Sequence, residues 1–470
     1  MQNADRIWEI AERHRAAFIR LADRVFDTPE IAYTEHESCA AHVDALEEAG
    51  ARITRDPAGI PTAVTGEWGA GGPVIAILGE YDALPELGQE PGVAEERPLG
   101  RFGHGCGHNL LGSAAMMAAV TLGDWLAETG TPGRVRYCGC PAEEGGAAKT
   151  FMVRAGLFDD VDAAISWHPA DYTGVFHAAS LANTRIDFTF LGRAAHAAGA
   201  PELGRSALDA VELMNVGVNY LREHMPPGAR VHYAYLDAGG TAPNVVPAKA
   251  VVRQLIRTKR LRDLNALVER VRNIAGGAAL MTGTRVEATV VSAVSDLLGN
   301  RVLEEAMQAS LDRLGPVDFD AADVPFAEAI RATLTEDHIA DTFRQLGRPV
   351  ARDLALCDFV VPLDAGGEVS MGSTDVGDVS WTVPTVQAWV ATCAIGTPFH
   401  SWQLTAQGKM PAAHKGMVHA AKVMAATGRD LFLRPDVLAA AKAEHAAHLA
   451  REPYACPLPP EVMPPIPARL

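Results

Sequence analysis

Thr184-Arg185-Ile186-Asp187-Phe188-Thr189-Phe190-Leu191 opens the stretch that decides how this chain is built. A strand from Arg185 to Leu191 is followed by a helix from Ser206 to Leu221, strands from Val231 to Leu236 and Ala250 to Thr258, a helix from Leu261 to Ala275 and a strand from Val286 to Val291. That order is βαββαβ, the ferredoxin-like arrangement, a unit compact enough to stand as an inserted domain. Helix-rich sequence resumes after about Leu298, and residues suited to chemistry lie on both sides of the insert. The expected division is therefore a catalytic domain in two parts, 1–183 and 299–470, interrupted by a lid at 184–298.

Outward toward the N-terminus, the spacing predicts a helix from Arg6 to Phe26, a turn at Asp27-Thr28-Pro29 and a helix from His36 to Ala49 ended by Gly50. The apolar run Val74 to Leu78, bounded by Gly72-Pro73 and Gly79, suits a buried strand feeding into Glu80-Tyr81-Asp82. A small-residue helix from Leu110 to Leu126 precedes a strand from Val135 to Cys140, which delivers Glu143 and Glu144, and a strand from Ala163 to Trp167, which delivers His168. This alternation is α/β, with three strand ends able to meet on one edge of a sheet. Toward the C-terminus a helix from Pro435 to Leu449 gives way to a proline-rich end, Pro457 to Pro467, that is extended and expected to pack on a neighbouring surface.

The chain has 470 residues, 48% of them hydrophobic, enough for two domains around a large core. A net charge of -17 argues against sequence-independent nucleic-acid binding, which depends on Lys and Arg neutralising phosphates, and disfavours anionic membranes. Asp5, Arg6 and Glu9 interrupt the first ten residues, so no signal peptide is read there; no other segment is expected to span a bilayer, and a cytoplasmic location follows. Seven unevenly spaced cysteines, at 39, 106, 138, 140, 357, 393 and 456, do not form a disulfide framework and are expected to be reduced and mostly buried.

His104-Gly105-Cys106-Gly107-His108-Asn109 places two imidazoles and a thiol close together, and Glu143-Glu144, His168 and His400 recur downstream in Gly- and Pro-punctuated sequence. A hydrolytic metal centre needs thiolate, imidazole or carboxylate ligands and one free carboxylate to take a proton from water. Cys106 and His108 can point to the same side of a tight loop, although a bare Cys-x-His is as readily a packing feature. Two adjacent carboxylates resist joint ionisation unless a cation is near, so one Glu could bind metal and the other act as base; a solvated acidic turn is the plain alternative. His168 and His400 read individually as structural histidines, and His196, in Gly192 to Ala197, as a solvated loop residue or an oxyanion donor on the lid. Asn244 and Arg257 could clamp a carboxylate; Arg253 competes for that role, because strand alternation puts both arginines on one face.

At this point the chain resembles the metal-dependent aminoacylase and carboxypeptidase superfamily, in particular its branch of auxin-conjugate hydrolases and the second of the two aminobenzoyl-glutamate hydrolase subunits. The residues that carry the resemblance are Pro29 to Tyr33, Gly79 to Pro85, Gly103 to Gly112, Pro141 to Gly146, Gly192 to Ala197, Pro243 to Pro247, Gly372 to Trp381 and Gly396 to Lys415. The resemblance implies a two-domain metallopeptidase-like fold, with a mixed-sheet catalytic domain and an inserted ferredoxin-like lid and dimerisation domain. It implies that Cys106, His108, Glu144, His168 and His400 hold two divalent ions, manganese or zinc, with Cys106 between them, and that Glu143 is the general base. Related enzymes often carry His-x-Asp where this chain has Glu80-Tyr81-Asp82, which leaves Asp82 to orient a ligand. The resemblance also implies that His196 acts across a dimer interface and that Asn244 and Arg257, rather than Arg253, hold a substrate carboxylate. Asp375 and Asp378 gain no role from it, and His104 is the alternative ligand.

The expected activity is hydrolysis of the amide in an N-acyl or N-aroyl amino acid, or a short peptide, by a homodimer or higher oligomer, with a related subunit as a further partner. Three readings compete: removal of an amino group from a small aromatic acid, a non-catalytic binding subunit, and a metal-free binding module. The first needs no amino-acid leaving group, and the second is disfavoured by the intact Glu143.

Overall fold

The computed structural model describes residues 5–175, 180–365 and 372–467. Helices α1 (Arg6–Asp27) and α2 (His36–Glu48) precede strands β1 (Arg52–Arg55), β2 (Val64–Ala70) and β3 (Val74–Glu80). Next come α3 (His108–Thr129), β4 (Gly133–Cys140), α4 (Ala148–Arg154), β5 (Ala163–Ala170) and β6 (Gly174–Val175). The middle of the chain forms β7 (Ala182–Leu191), α5 (Ala207–Leu221), β8 (Arg230–Asp237), β9 (Lys249–Thr258), α6 (Leu261–Thr282) and β10 (Arg285–Val294). Afterwards α7 (Arg301–Leu314), α8 (Val376–Thr382), β11 (Thr385–Ala391), α9 (Pro411–Leu433) and α10 (Pro435–Leu449) complete the principal elements.

One sheet has the order β1-β2-β4-β3-β5-β11-β6. Its four central strands are parallel and the flanking pairs antiparallel, so it is a mixed sheet whose central carboxyl ends point the same way. The register sets Glu80 beside Cys140 and His168 beside Trp389, which gathers the functional segments on one edge. The second sheet, β8-β9-β7-β10, is wholly antiparallel and keeps the ferredoxin-like order. Alternation along β7 buries Ile186, Phe188 and Phe190, and α5 and α6 cover that face. Its odd-numbered residues point to the other side.

α3 crosses the end of β3 at close range. A Cβ on Gly112 would stand 2.4 Å from the Glu80 carbonyl oxygen, so only glycine permits this approach. The helix is 22 residues long, and by length and composition it could cross a membrane, which corrects the expectation that no segment meets that test. Read from Leu110 to Leu126 it falls short of the roughly 18 residues such a span needs, whereas the folded helix extends at both ends. Packed against the sheet, α1 and α9, with 89% of its most apolar window buried, it is the core helix of its domain.

The cysteines are all free, and all but Cys456 are buried. The proline-rich end packs on its own chain: Tyr454 Oη donates to Asp378 Oδ1 at 2.8 Å, and the Arg154 guanidinium donates to the carbonyls of Pro459 and Val462.

Candidate metal centre

Gly107, in the left-handed region at φ 79°, is the N-cap of α3, so the chain turns sharply between Cys106 and His108. His108 Nδ1 lies 2.8 Å from Asp82 Oδ1, while the other carboxylate oxygen of Asp82 accepts the Glu144 N–H at 2.8 Å. One carboxylate thus orients two candidate ligands. With its proton on Nδ1, His108 presents the lone pair of Nε2.

Glu143 and Glu144 sit on the turn after β4, between Ala142 (φ 58°) and Ala147 (φ 55°). Left-handed alanines are costly and persist only where surrounding bonds impose them. Those bonds are the Ala142 N–H to Glu35 Oε1, 2.8 Å, and Tyr33 Oη to the Gly146 carbonyl, 2.7 Å. His168 lies inside β5 rather than in a loop beyond it, with Nδ1 2.8 Å from the Pro169 carbonyl and Nε2 3.5 Å from Cys106 Sγ. His400, at φ 57°, is held by its N–H to the Gly105 carbonyl at 2.8 Å.

The ligand atoms fall into two triplets, Cys106–His108–His168 and Cys106–Glu144–His400, each within 4.8 Å. Cys106 belongs to both. The donor set fits two divalent ions: His108 Nε2 and Glu144 Oε1 are buried without a hydrogen bond, even though Glu80 Oε2 and His400 Nε2 each stand 3.3 Å away. Glu80, His108 and Glu143 form a third such group. Glu80 is nonetheless engaged by a cation, since Lys149 Nζ lies 2.6 Å from Glu80 Oε1 and 2.6 Å from Asp375 Oδ1.

Burial pushes the Glu143 carboxyl well up, and the negative charges of Glu80, Glu144 and Asp375 push it further. Burial also resists ionisation of Glu144, but His400, His108 and Cys106 outweigh it and bring that carboxyl down to about 2. The adjacent glutamates thus differ in proton affinity: Glu143 holds a proton readily and Glu144 stays an anion. Burial keeps Cys106 a thiol, so a cation is needed to draw out the thiolate, and burial lowers His168 to about 4, leaving a neutral imidazole.

A cavity of about 360 Å³ opens over these groups. Cys106, Glu143, Glu144, His168 and His400 line it from one side and Arg257 from the second sheet. Arg253 is bound instead to Asp187, at 2.6 and 2.8 Å. His196 and Asn244 do not line the cavity: they occupy two exposed, mutually bonded loops, with the Ala197 N–H on the Asn244 carbonyl at 3.0 Å. There His196 Nδ1 accepts the N–H groups of Ala198 and Gly199, which leaves Nε2 as the donor. His104 turns away from the cluster, with Nε2 3.1 Å from the Val25 carbonyl, and is not brought to the ligand groups.

Sequence reasoning missed Glu80, Lys149 and Arg185. A lysine opening an apolar helix just after an acidic pair was the available signal for Lys149. Asp375 holds that lysine through Nζ and its backbone N–H, 2.9 Å. Asp378 accepts from Thr150 on α4, Ser295 just after β10 and Tyr454 of the tail, a structural junction of the three.

Residues 181–280 match the peptidase dimerisation domain of the M20 family. The chain is 47% identical to the second of the two p-aminobenzoyl-glutamate hydrolase subunits of Escherichia coli (strain K12), with 96% of this chain and 97% of that protein covered. It is 28% identical to a mouse Xaa-Arg dipeptidase, covering 96% and 92% of the two chains. In fold it is similar to a dinuclear metal-binding M20 peptidase from Bacillus subtilis, with a TM-score of 0.57 and 20% identity over 89% of this chain and 99% of that one. With a two-domain fold of this kind and 47% identity to a hydrolase subunit over nearly the whole of both chains, the chain belongs to the M20 family of peptidases and amidohydrolases.

Proposed function

We propose that this protein hydrolyses the amide between an acyl or aroyl group and an amino acid, with 4-aminobenzoyl-glutamate as the first substrate to test. The observation that carries the reading is the pair of side-chain triplets sharing Cys106, beside Glu143 with its raised proton affinity and under Arg257, whose Nε has no hydrogen bond. The likeness to a p-aminobenzoyl-glutamate hydrolase subunit supports the substrate class.

Cys106, His108, Glu144, His168 and His400 would hold two divalent ions, zinc or manganese, which supply Lewis acidity to the attacking water and the amide carbonyl when bound. Glu143, with its raised proton affinity, takes the water's proton and passes it to the leaving amine nitrogen. Arg257 binds the carboxylate of the amino-acid half. The oxyanion donor is His196 Nε2–H of a second copy, since the loop that carries it lies outside its own cavity. Asn244, on the paired loop, travels with it and completes the carboxylate contact. A dimer built on the inserted domain is the assembly this requires, and because the Escherichia coli relative is one of two hydrolase subunits, a related chain is the other candidate for the second half.

Incubation of the metal-replete protein with 4-aminobenzoyl-glutamate, other N-acyl amino acids and 4-aminobenzoate tests the reading by product. Free amino acid from the amides, and no ammonia from 4-aminobenzoate, is the expected result. Ammonia released from the aromatic amine, with the amides intact, would replace this reading with aminohydrolysis.

A further inference from the structure

The second sheet turns two uncompensated cations toward the cavity. Its register forms two adjacent cross-strand rows, Arg257–Asn183–Val294 and Leu255–Arg185–Ser292, and all six residues line the cavity. In the next row Arg253 and Asp187 neutralise each other. No such partner faces the other two arginines among the described residues. Arg257 Nε is buried without a hydrogen bond, and Arg185 has one hydrogen bond, from Nη1 to the Gly145 carbonyl at 3.3 Å, and no ion pair. Burial lowers the pKa of Arg185, and Arg253 and Arg257 lower it further, so an anion placed here relieves a real repulsion.

The spacing limits what that anion can be. Arg185 and Arg257 are diagonal neighbours on antiparallel strands, a spacing of about 7–8 Å with the Cβ atoms somewhat closer. Two long guanidinium side chains at that spacing can each grip one carboxylate of a small molecule whose acid groups are separated by one or two methylenes and an α-carbon. Gly145 follows Glu144 directly, so the Arg185 end of the clamp lies against the turn that carries the proposed base.

We propose that Arg185 is a specificity-determining residue that holds a side-chain carboxylate, so the site selects amides whose leaving amino acid is glutamate or aspartate, while Arg257 holds the α-carboxylate. The inference rests on reading this cavity as the amide-hydrolysing site. A leaving group with a lysine or arginine side chain would bring like charge against Arg185 and is excluded by the same geometry.

The test compares wild type, Arg185→Gln and Arg185→Lys on the 4-aminobenzoyl conjugates of glutamate, glutamine and lysine, with circular dichroism as the check on folding. Wild type should prefer the glutamate over the glutamine conjugate by about 10- to 100-fold in kcat/KM, the range of a lost charge-assisted hydrogen bond. Arg185→Gln should erase that preference by lowering the glutamate value while changing the glutamine value less than about threefold; Arg185→Lys should restore part of it. A structural role for Arg185 would depress both conjugates alike, and an unchanged glutamate-to-glutamine ratio in a folded Arg185→Gln protein overturns the proposal. Calorimetric titration of the same conjugates separates the two claims. If wild type hydrolyses none but binds the glutamate conjugate more tightly than the glutamine conjugate, through Arg185, the activity reading fails and the anchor stands. Equal binding of the two conjugates sinks the anchor.

Discussion

Replacing Lys149 with methionine removes the cation buried between Glu80 and Asp375. The ammonium is fully buried and stands 2.6 Å from an oxygen of each carboxylate. At an effective dielectric of about 20, each such pair is worth about 6 kcal/mol of Coulomb energy, against several kcal/mol to strip water from the ammonium. Burial resists ionisation of Glu80, but Lys149 wins and keeps it an anion, whereas Asp375, raised to about 6 mainly by burial and then by Glu80, can take up a proton. Deleting the lysine therefore leaves at least one carboxylate buried and uncompensated. The expected cost is about 3–5 kcal/mol. Urea denaturation in the presence of chelator is the assay, because bound metal would add its own linkage to the midpoint. The double change Lys149→Met with Glu80→Gln should recover part of the loss, since it removes charge from both sides. A Lys149→Met protein within about 1 kcal/mol of wild type would refute neutralisation by this lysine of the acids beneath the candidate ligand cluster.

Three further outcomes follow from the geometry. Burial, and then Asp82, raise the Glu35 carboxyl to about 8, so its stabilising contribution is complete below the ordinary pKa of 4.5 and is lost as pH climbs through 8. Glu35→Gln keeps an acceptor for the Ala142 N–H and should flatten the fall in metal-free stability between pH 5 and 9 by a few kcal/mol; parallel denaturation profiles would count against it. Tyr454→Phe removes one of several donors to Asp378 and should lower the unfolding free energy from urea denaturation by about 1–2 kcal/mol; under about 0.5 kcal/mol would mean the tail contributes nothing there. Mixed His196→Ala and Glu143→Gln proteins, each inactive, should regain partial activity once subunits exchange, and failure despite confirmed exchange would place the oxyanion donor elsewhere.

The parts of this molecule that repeat locally could be read before any coordinates. Alternation in β7 and helical spacing in α5 and α6 specify βαββαβ without reference to distant residues. β2 escaped notice because Gly66 and Gly69 break its apolar pattern, and β11 because Gln387 interrupts its apolar run in a region otherwise rich in helix. In the candidate site, the clustered Cys106 and His108 and the adjacent Glu143 and Glu144 announce themselves by proximity in sequence. Lys149 does not: its partner Asp375 is 226 residues away, and an isolated lysine looks the same whether its charge is solvated or buried. Arg185, Arg253 and Arg257 likewise share one face, and only the cross-strand register shows that Asp187 neutralises Arg253 and not the other two.

A two-ion hydrolytic site would use Glu144 as a ligand and Glu143 as the proton carrier. Wild type and Glu143→Gln, loaded with zinc or manganese and freed of excess by dialysis, should be compared by elemental analysis and by turnover of 4-aminobenzoyl-glutamate. The expected result is about two ions per chain in both proteins and a rate at least about 100-fold lower in the variant. Equal rates, or a variant that loses its metal along with its activity, would contradict that division of roles.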